Sequence, residues 1–188
     1  MLRHFEEFGK YAEITGFRNV KIKSVEDFLN RINKEKPVNV EIQFLDAKLV
    51  ATWQHLYFAV LNALTAFNNK EGISKSLAME IMLYASAQRQ IRKATGLIGI
   101  KPDSSEIAVL IVGGKSEAVK LALSAILKCI NGDCDEAVLE LSEEKATVIQ
   151  EVFQISEAEL ETVMGSEGVK KGLTDLVIER MALLATQR

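Results

Sequence analysis

Histidine, cysteine and proline each occur only twice in 188 residues, and each scarcity narrows what the chain can do. Zinc takes about four ligands. Cys129 and Cys134, five residues apart around Asp133 and beside Asp135, have neither a second cysteine pair nor a nearby histidine. They read as a small thiol beside a solvated loop, and no metal is expected. A Ser-His-Asp or Cys-His arrangement would have to draw on His4 or His55, and neither sits in a recognisable motif. Two cysteines form no disulfide framework, and so few prolines among eleven glycines leave no segment with the composition of a linker or disordered tail. No unbroken apolar run exceeds the length of Ile107 to Val112, far short of the roughly 20 residues that cross a bilayer. Arg3, Glu6, Glu7, Lys10 and Glu13 interrupt the apolar heart that a secretory signal needs. The expectation is a non-enzymatic, cytoplasmic protein with no cofactor, no small-molecule substrate and no membrane partner.

What is present is a 48% hydrophobic, 26% charged composition, ordinary for one globular domain with a sizeable core. The net charge of −3 conceals an asymmetry. Residues 1–130 hold 18 Lys and Arg against 13 Asp and Glu, whereas residues 131–188 hold 5 against 13. Such a split bears on partners rather than on fold, and suggests one face for an anion and another for something else.

Periodicity outlines the elements. Tyr11 to Lys23 is a first apolar-polar segment. Ser24, three residues before Asp27, caps a helix carrying Val25, Phe28, Leu29 and Ile32, which Pro37 ends. Val38, Val40, Ile42 and Phe44 alternate with polar residues as a strand. The positions Leu56, Tyr57, Val60, Leu61, Leu64 and Phe67 after Trp53 mark an amphipathic helix closing at Asn68 and Asn69. A long helix from about Ser74 to Thr95, with Leu77, Ile81, Tyr84, Ala85 and Ile91 inward, is predicted to stop at Gly96. Ile107 to Val112 reads as a strand buried on both faces. A helix from Ser116 to about Ile130 follows, Ala137 to Leu141 suggests a last strand, and Ser142, Ser156 with Glu159, and Val169 to Leu184 open or span three further helices. The fold class expected is α+β: a small mixed, mainly antiparallel four-stranded sheet with helices on both faces and a helical C-terminal extension. Residues 1–188 are expected to form a single domain, with 1–141 as the sheet-containing core and 142–188 as the helical C-terminal part.

Gly114, Lys115 and Ser116 resemble the end of a phosphate-gripping G-x-x-x-x-G-K-[ST] loop. The first glycine is replaced by Val109, in a run that extends as a strand, so a Gly-Gly strand exit with Ser116 as N-cap is the better reading. The strongest signal lies between Lys70 and Lys101. No acid occurs between Glu80 and Asp103, while Arg89, Arg92 and Lys93 are spaced to share one face of the long helix, beside Gln88 and Gln90. A cationic stripe with amides and a tight loop can hold phosphates and splayed bases of single-stranded RNA. An ordinary solvated face accounts for the same charges.

The stretches Ile42 to Val50, Asn62 to Leu64, Ile73 to Leu77, Glu80 to Ile91 with its Tyr84-Ala-Ser-Ala-Gln-Arg-Gln-Ile91 core, Ile107 to Gly113, and Ile178 to Leu184 resemble the TPRKB family, the kinase-binding subunits of the KEOPS complex. The resemblance spans nearly the whole chain. It implies a non-catalytic subunit of the assembly that installs threonylcarbamoyladenosine in tRNA. Such a subunit docks on the small atypical kinase of the complex, supports its ATPase activity and recruits tRNA by its single-stranded CCA end. By position, Gly72, Ile73, Ser74 and Lys75, with Arg89, Gln90, Arg92 and Lys93, resemble the tRNA-binding part. The terminal helix, with Leu173, Leu176, Val177, Met181 and Leu184, resembles the kinase-binding part. Those five are spaced either to pack wholly into the core or to leave part of the stripe free for a partner. Two other classes remain: a protein-only regulator of a kinase that never touches RNA, and a nucleotide-binding domain using Gly113, Gly114 and Lys115.

Overall fold

A computed structural model describes residues 1–164 and 168–186. In chain order the elements are β1 (Leu2–Phe5), β2 (Lys10–Arg18), α1 (Val25–Glu35), β3 (Val40–Asp46), α2 (Trp53–Asn68), α3 (Leu77–Ala85), α4 (Ile91–Ile98), β4 (Ile107–Gly113), α5 (Ser116–Cys129), β5 (Asp133–Cys134), α6 (Glu143–Val152), α7 (Glu157–Val163) and α8 (Gly168–Leu184). They divide into two compact units, residues 1–47 with 99–138, and residues 48–98 with 139 onward.

The first unit is built on a sheet ordered β1-β2-β4-β3, with β5 paired to β2. Every pairing among the described residues is antiparallel. The expected small, mainly antiparallel sheet of an α+β fold is therefore present, with the two-residue β5 added to a path of four. β4 lies between β2 and β3, in register from Phe17↔Ile107 to Tyr11↔Gly113 on one side and from Val40↔Gly113 to Asp46↔Ile107 on the other. All seven of its residues are buried, which is why it reads as a continuous apolar run rather than an alternating one. On one face Ile107, Val109 and Ile111 meet Phe28 and Ile32 of α1 and Ile126 of α5. The rings of Phe28 and Phe44 stand edge to face, 5.0 Å apart.

The ends of α1 follow the sequence closely. Ser24 Oγ accepts the Asp27 N–H at 3.2 Å, and the helix stops at Glu35, ahead of Pro37. Other details differ. β1 was not expected. Asn39 takes a left-handed φ of 64°, so β3 starts at Val40 and leaves Val38 86% exposed. Ser116 is not an N-cap: Lys115 holds that position without a capping side chain, and Ser116 Oγ donates to Glu117 Oε1 at 3.0 Å. The strand expected at Ala137 to Leu141 is a 3-10 turn, Glu136–Leu139. Asp135 Oδ1 accepts the Ala137 N–H at 3.0 Å and closes the chain into that turn.

The second unit is helical. α2 packs on α3 and α8, α3 on α4, and α8 on α6 and α7. Leu141, Ile149, Phe153, Leu160, Leu173 and Val177 belong to its buried cluster. Ser142 caps α6, and Ser156 and Glu159 form the expected capping box on α7. Arg180 of α8 donates to Glu159 Oε1 at 2.5 Å. That guanidinium, helped by the N–H and hydroxyl of Ser156, holds the Glu159 carboxyl down to about 2.

The long helix expected from Ser74 to Thr95 is instead two helices joined by a turn. Ser86 caps α3, Ala87 adopts φ 49°, the Ala87 N–H donates to Tyr84 O at 2.8 Å and the Gln88 N–H to Leu83 O at 3.0 Å. This is a Schellman closure with alanine where glycine is usual. Ser86 Oγ reinforces it by donating to Met82 O and Leu83 O. Gly96 lies inside α4 rather than ending a helix, and Ile91 is 46% exposed rather than inward.

Candidate nucleic-acid interface

The loop between α2 and α3 carries the first group of candidate RNA-binding residues. α2 ends in its own Schellman closure around Lys70, with φ 59° and N–H bonds from Lys70 to Phe67 O and from Glu71 to Ala66 O. The chain then passes Gly72, Ile73, Ser74 and Lys75 at the surface; Ile73 is 38% exposed. A Cβ at Gly72 would lie 3.2 Å from both the Phe67 ring and Ser74 O, so only glycine fits without displacing the loop. Ser74 Oγ accepts the Ser76 N–H at 3.1 Å, and Ser76 caps α3 by accepting the Met79 N–H at 3.4 Å. Beneath the loop, fully buried Glu80 accepts the Ile73 N–H on Oε1 at 3.0 Å and the Ser74 N–H on Oε2 at 2.7 Å.

The second group does not share one helix face. Arg89 and Gln90 lie in the turn between α3 and α4, while Arg92 and Lys93 occupy the first turn of α4; all four are exposed. Arg89 Nη1 donates to Leu184 O at 3.3 Å, placing its charge at the carbonyl end of α8, where a cation is favoured. Arg89, Gly72 and Ile73 line one pocket of about 290 Å³, whose wall also includes the acidic Glu71 and, from the helices, Tyr84 and Leu184. The structure thus brings Arg89 to the loop through tertiary packing. Among the described residues no carboxylate forms an ion pair with Lys70, Lys75, Arg92 or Lys93, so exposed positive charge extends along both segments.

His55 lies before the turn that carries Arg89, bonded to the end of α3. It is fully buried in α2; its Nδ1 accepts the Ala51 N–H at 3.2 Å, and Nε2 donates to Ala85 O at 2.8 Å, at the last residue of α3. Nδ1 must be unprotonated to accept, which fixes the tautomer. Burial, reinforced by the charge of Lys145 and opposed by the bond to Ala85, lowers its pKa to about 4. Its role is to tie α2 to the end of α3, just before the turn that presents Arg89.

Of the residues expected to face a kinase, Leu173, Leu176, Val177, Met181 and Leu184 are all buried within the second unit. The burial matches the reading in which the whole stripe is core. Val169 and Leu183 are the large apolar side chains that α8 leaves exposed. Among the described residues no group of three or more His, Cys, Asp or Glu is arranged to hold a metal, and no helix is long and apolar enough to cross a membrane.

Residues 17–185 match the family described as kinase binding protein CGI-121. The chain belongs to this family. The match begins within β2 and reaches the end of α8, so every candidate residue named above falls inside it. The regulatory protein Cgi121 of Methanocaldococcus jannaschii is 36% identical over 126 residues, 66% of this chain and 79% of that protein. The EKC/KEOPS complex subunit CGI121 of Candida glabrata is 32% identical over 110 residues, 56% of this chain and 63% of that protein. Two features escaped the sequence reading of this family member. Glu80 was visible as a lone acid among Leu77, Met79, Ile81, Met82 and Leu83, an arrangement that signals a satisfied buried polar group. The closure at Ala87 left no comparable sign.

Proposed function

We propose that the chain is a non-catalytic, kinase-binding regulatory subunit of a KEOPS-type complex that recruits tRNA for threonylcarbamoyladenosine synthesis through its single-stranded CCA end. Family membership and the names of the two relatives support the kinase and the complex. The observation that carries the RNA part is the exposed positive charge of Lys70 and Lys75, unpaired among the described residues, on a loop of fixed backbone, with Arg92 and Lys93 exposed on the segment whose Arg89 reaches that loop. Unpaired nucleotides are held by this combination of cations for phosphate and shaped, partly apolar surface for bases. Ile73, exposed at the mouth of the Arg89 pocket, supplies the apolar contact.

The kinase meets α8 in this reading. Its buried stripe seats the helix in the bundle, and the outward side, with Val169, Ala182 and Leu183 exposed, is left to contact the kinase. Titration of labelled tRNA against wild type and against Arg92→Glu with Lys93→Glu tests the RNA part. The variant should bind at least tenfold more weakly, and its slope of log K against log salt should be shallower by roughly 1.5, about 0.7 for each of two lost single-strand phosphate contacts, because fewer counterions are released. Equal affinity and slope in a folded double variant would refute this surface. A featureless titration of wild type, with kinase binding intact, would leave the chain as a protein-only regulator.

A further inference from the structure

Glu80 is a carboxyl group with no exposed surface, beneath a surface rich in positive charge. Its two oxygens are spent on consecutive backbone N–H groups of Ile73 and Ser74, at 3.0 and 2.7 Å. Two adjacent N–H groups converging on one anion form the kind of nest that elsewhere holds phosphate. Here the nest is filled from inside the protein, so those amides are not available to an RNA phosphate. Glu80 belongs to the first turn of α3, where the helix dipole favours a negative group. α3 is itself seated by the buried Ile81, Leu83 and Tyr84. The loop therefore borrows its shape from a rigid helix.

We infer that Glu80 is a positioning residue for RNA recognition: by accepting both N–H groups it holds the 72–75 loop with Ile73 and Lys75 outward, without touching the nucleic acid. The inference rests on the proposed tRNA-binding role of that loop. It carries an unusual sign. Removing a negative charge near a polyanion would, by Coulomb attraction alone, tighten binding. Loss of a positioning group loosens it, because apparent affinity falls with the fraction of molecules whose loop is in the competent form.

The test compares wild type, Glu80→Gln and Glu80→Ala in the full chain by amide hydrogen exchange and by titration with labelled tRNA at several salt concentrations. Gln keeps the shape but offers one acceptor oxygen for two donors; Ala offers none, and Gln serves if Ala compromises folding. The expected result is faster exchange at Ile73 and Ser74 in both variants and tRNA affinity about tenfold weaker. The salt slope should match wild type, and unfolding should stay cooperative. Unchanged or tighter tRNA binding by a folded variant overturns the inference, whether or not exchange at the two amides rises. A weaker affinity with a shallower salt slope overturns it as well, since that marks a lost phosphate contact. Wild type that binds no tRNA removes the proposed function and this inference together. Wild-type binding that responds to Arg92→Glu with Lys93→Glu but not to Glu80→Gln removes this inference alone.

Discussion

Stability should fall as the solution is acidified from pH 6.5 to 4, and His55 should account for about 3 kcal/mol of the loss. The ring is fully buried and its pKa is lowered to about 4 from an ordinary 6.5. In the unfolded chain it takes a proton near 6.5; in the folded chain it resists until about 4. The unfolded state thus binds more protons throughout that window, so stability rises with pH across it. The contribution is fully present above pH 6.5 and is lost progressively as pH falls toward 4, at about 1.4 kcal/mol per pH unit once the unfolded chain is fully charged. The geometry gives the same sign, because a proton on Nδ1 would confront the Ala51 N–H that now donates to it. Urea unfolding between pH 4 and 7.5, for wild type and His55→Gln, isolates the effect from the carboxyl groups common to both. Gln keeps a donor near Ala85 O and forfeits the acceptor for Ala51, so the variant should be less stable by about 1–3 kcal/mol at pH 7.5. The gap should narrow or reverse by pH 4. A constant gap over the whole range, or an NMR titration of folded His55 near 6.5, would refute the reasoning.

Ala87→Gly should raise stability by about 0.5–1 kcal/mol, seen as a higher Tm, because φ 49° suits glycine better than alanine at a helix C-terminus. Gly72→Ala should weaken tRNA binding several-fold while leaving kinase co-purification intact, since the added methyl presses on the Phe67 ring and Ser74 O. Leu183→Glu, on the exposed side of α8, should leave the melting transition cooperative but abolish kinase co-purification; persistence of the complex would move the interface elsewhere. Val177→Glu should cost several kcal/mol and unfold the helical unit, because it buries an unpaired charge in a fully covered position.

Elements announced by a chemical signal at one end or both were legible in the sequence. Ser24 and Pro37 bracket α1, Ser156 with Glu159 starts α7, and the uninterrupted run at Ile107, bounded by Pro102 and Gly113-Gly114, reads as a buried strand. The break after α3 was illegible for the opposite reason. Apolar spacing continues through Ala85 toward Ile91, and the left-handed residue is an alanine instead of the glycine or asparagine that marks such a stop. The strain is outweighed by Ser86 and the buried face of α3, which are matters of packing. The same break altered the site. Arg89, Arg92 and Lys93 were expected on one helix face, whereas Arg89 reaches the loop because its guanidinium meets Leu184 O, 95 positions along the chain. On α8 the spacing of the five apolar positions was readable, but spacing is the same for a core stripe and a docking stripe; burial distinguishes them.

Recruitment of tRNA in the proposed way requires the surface around Ile73, Arg92 and Lys93 to grip an unpaired RNA terminus. Equilibrium binding of the wild-type chain to one tRNA, intact and with its CCA end removed, measures this. The prediction is that removal weakens binding by at least tenfold, and that Arg92→Glu with Lys93→Glu brings intact and shortened tRNA to the same weak affinity. Equal affinity of wild type for both tRNAs would contradict it.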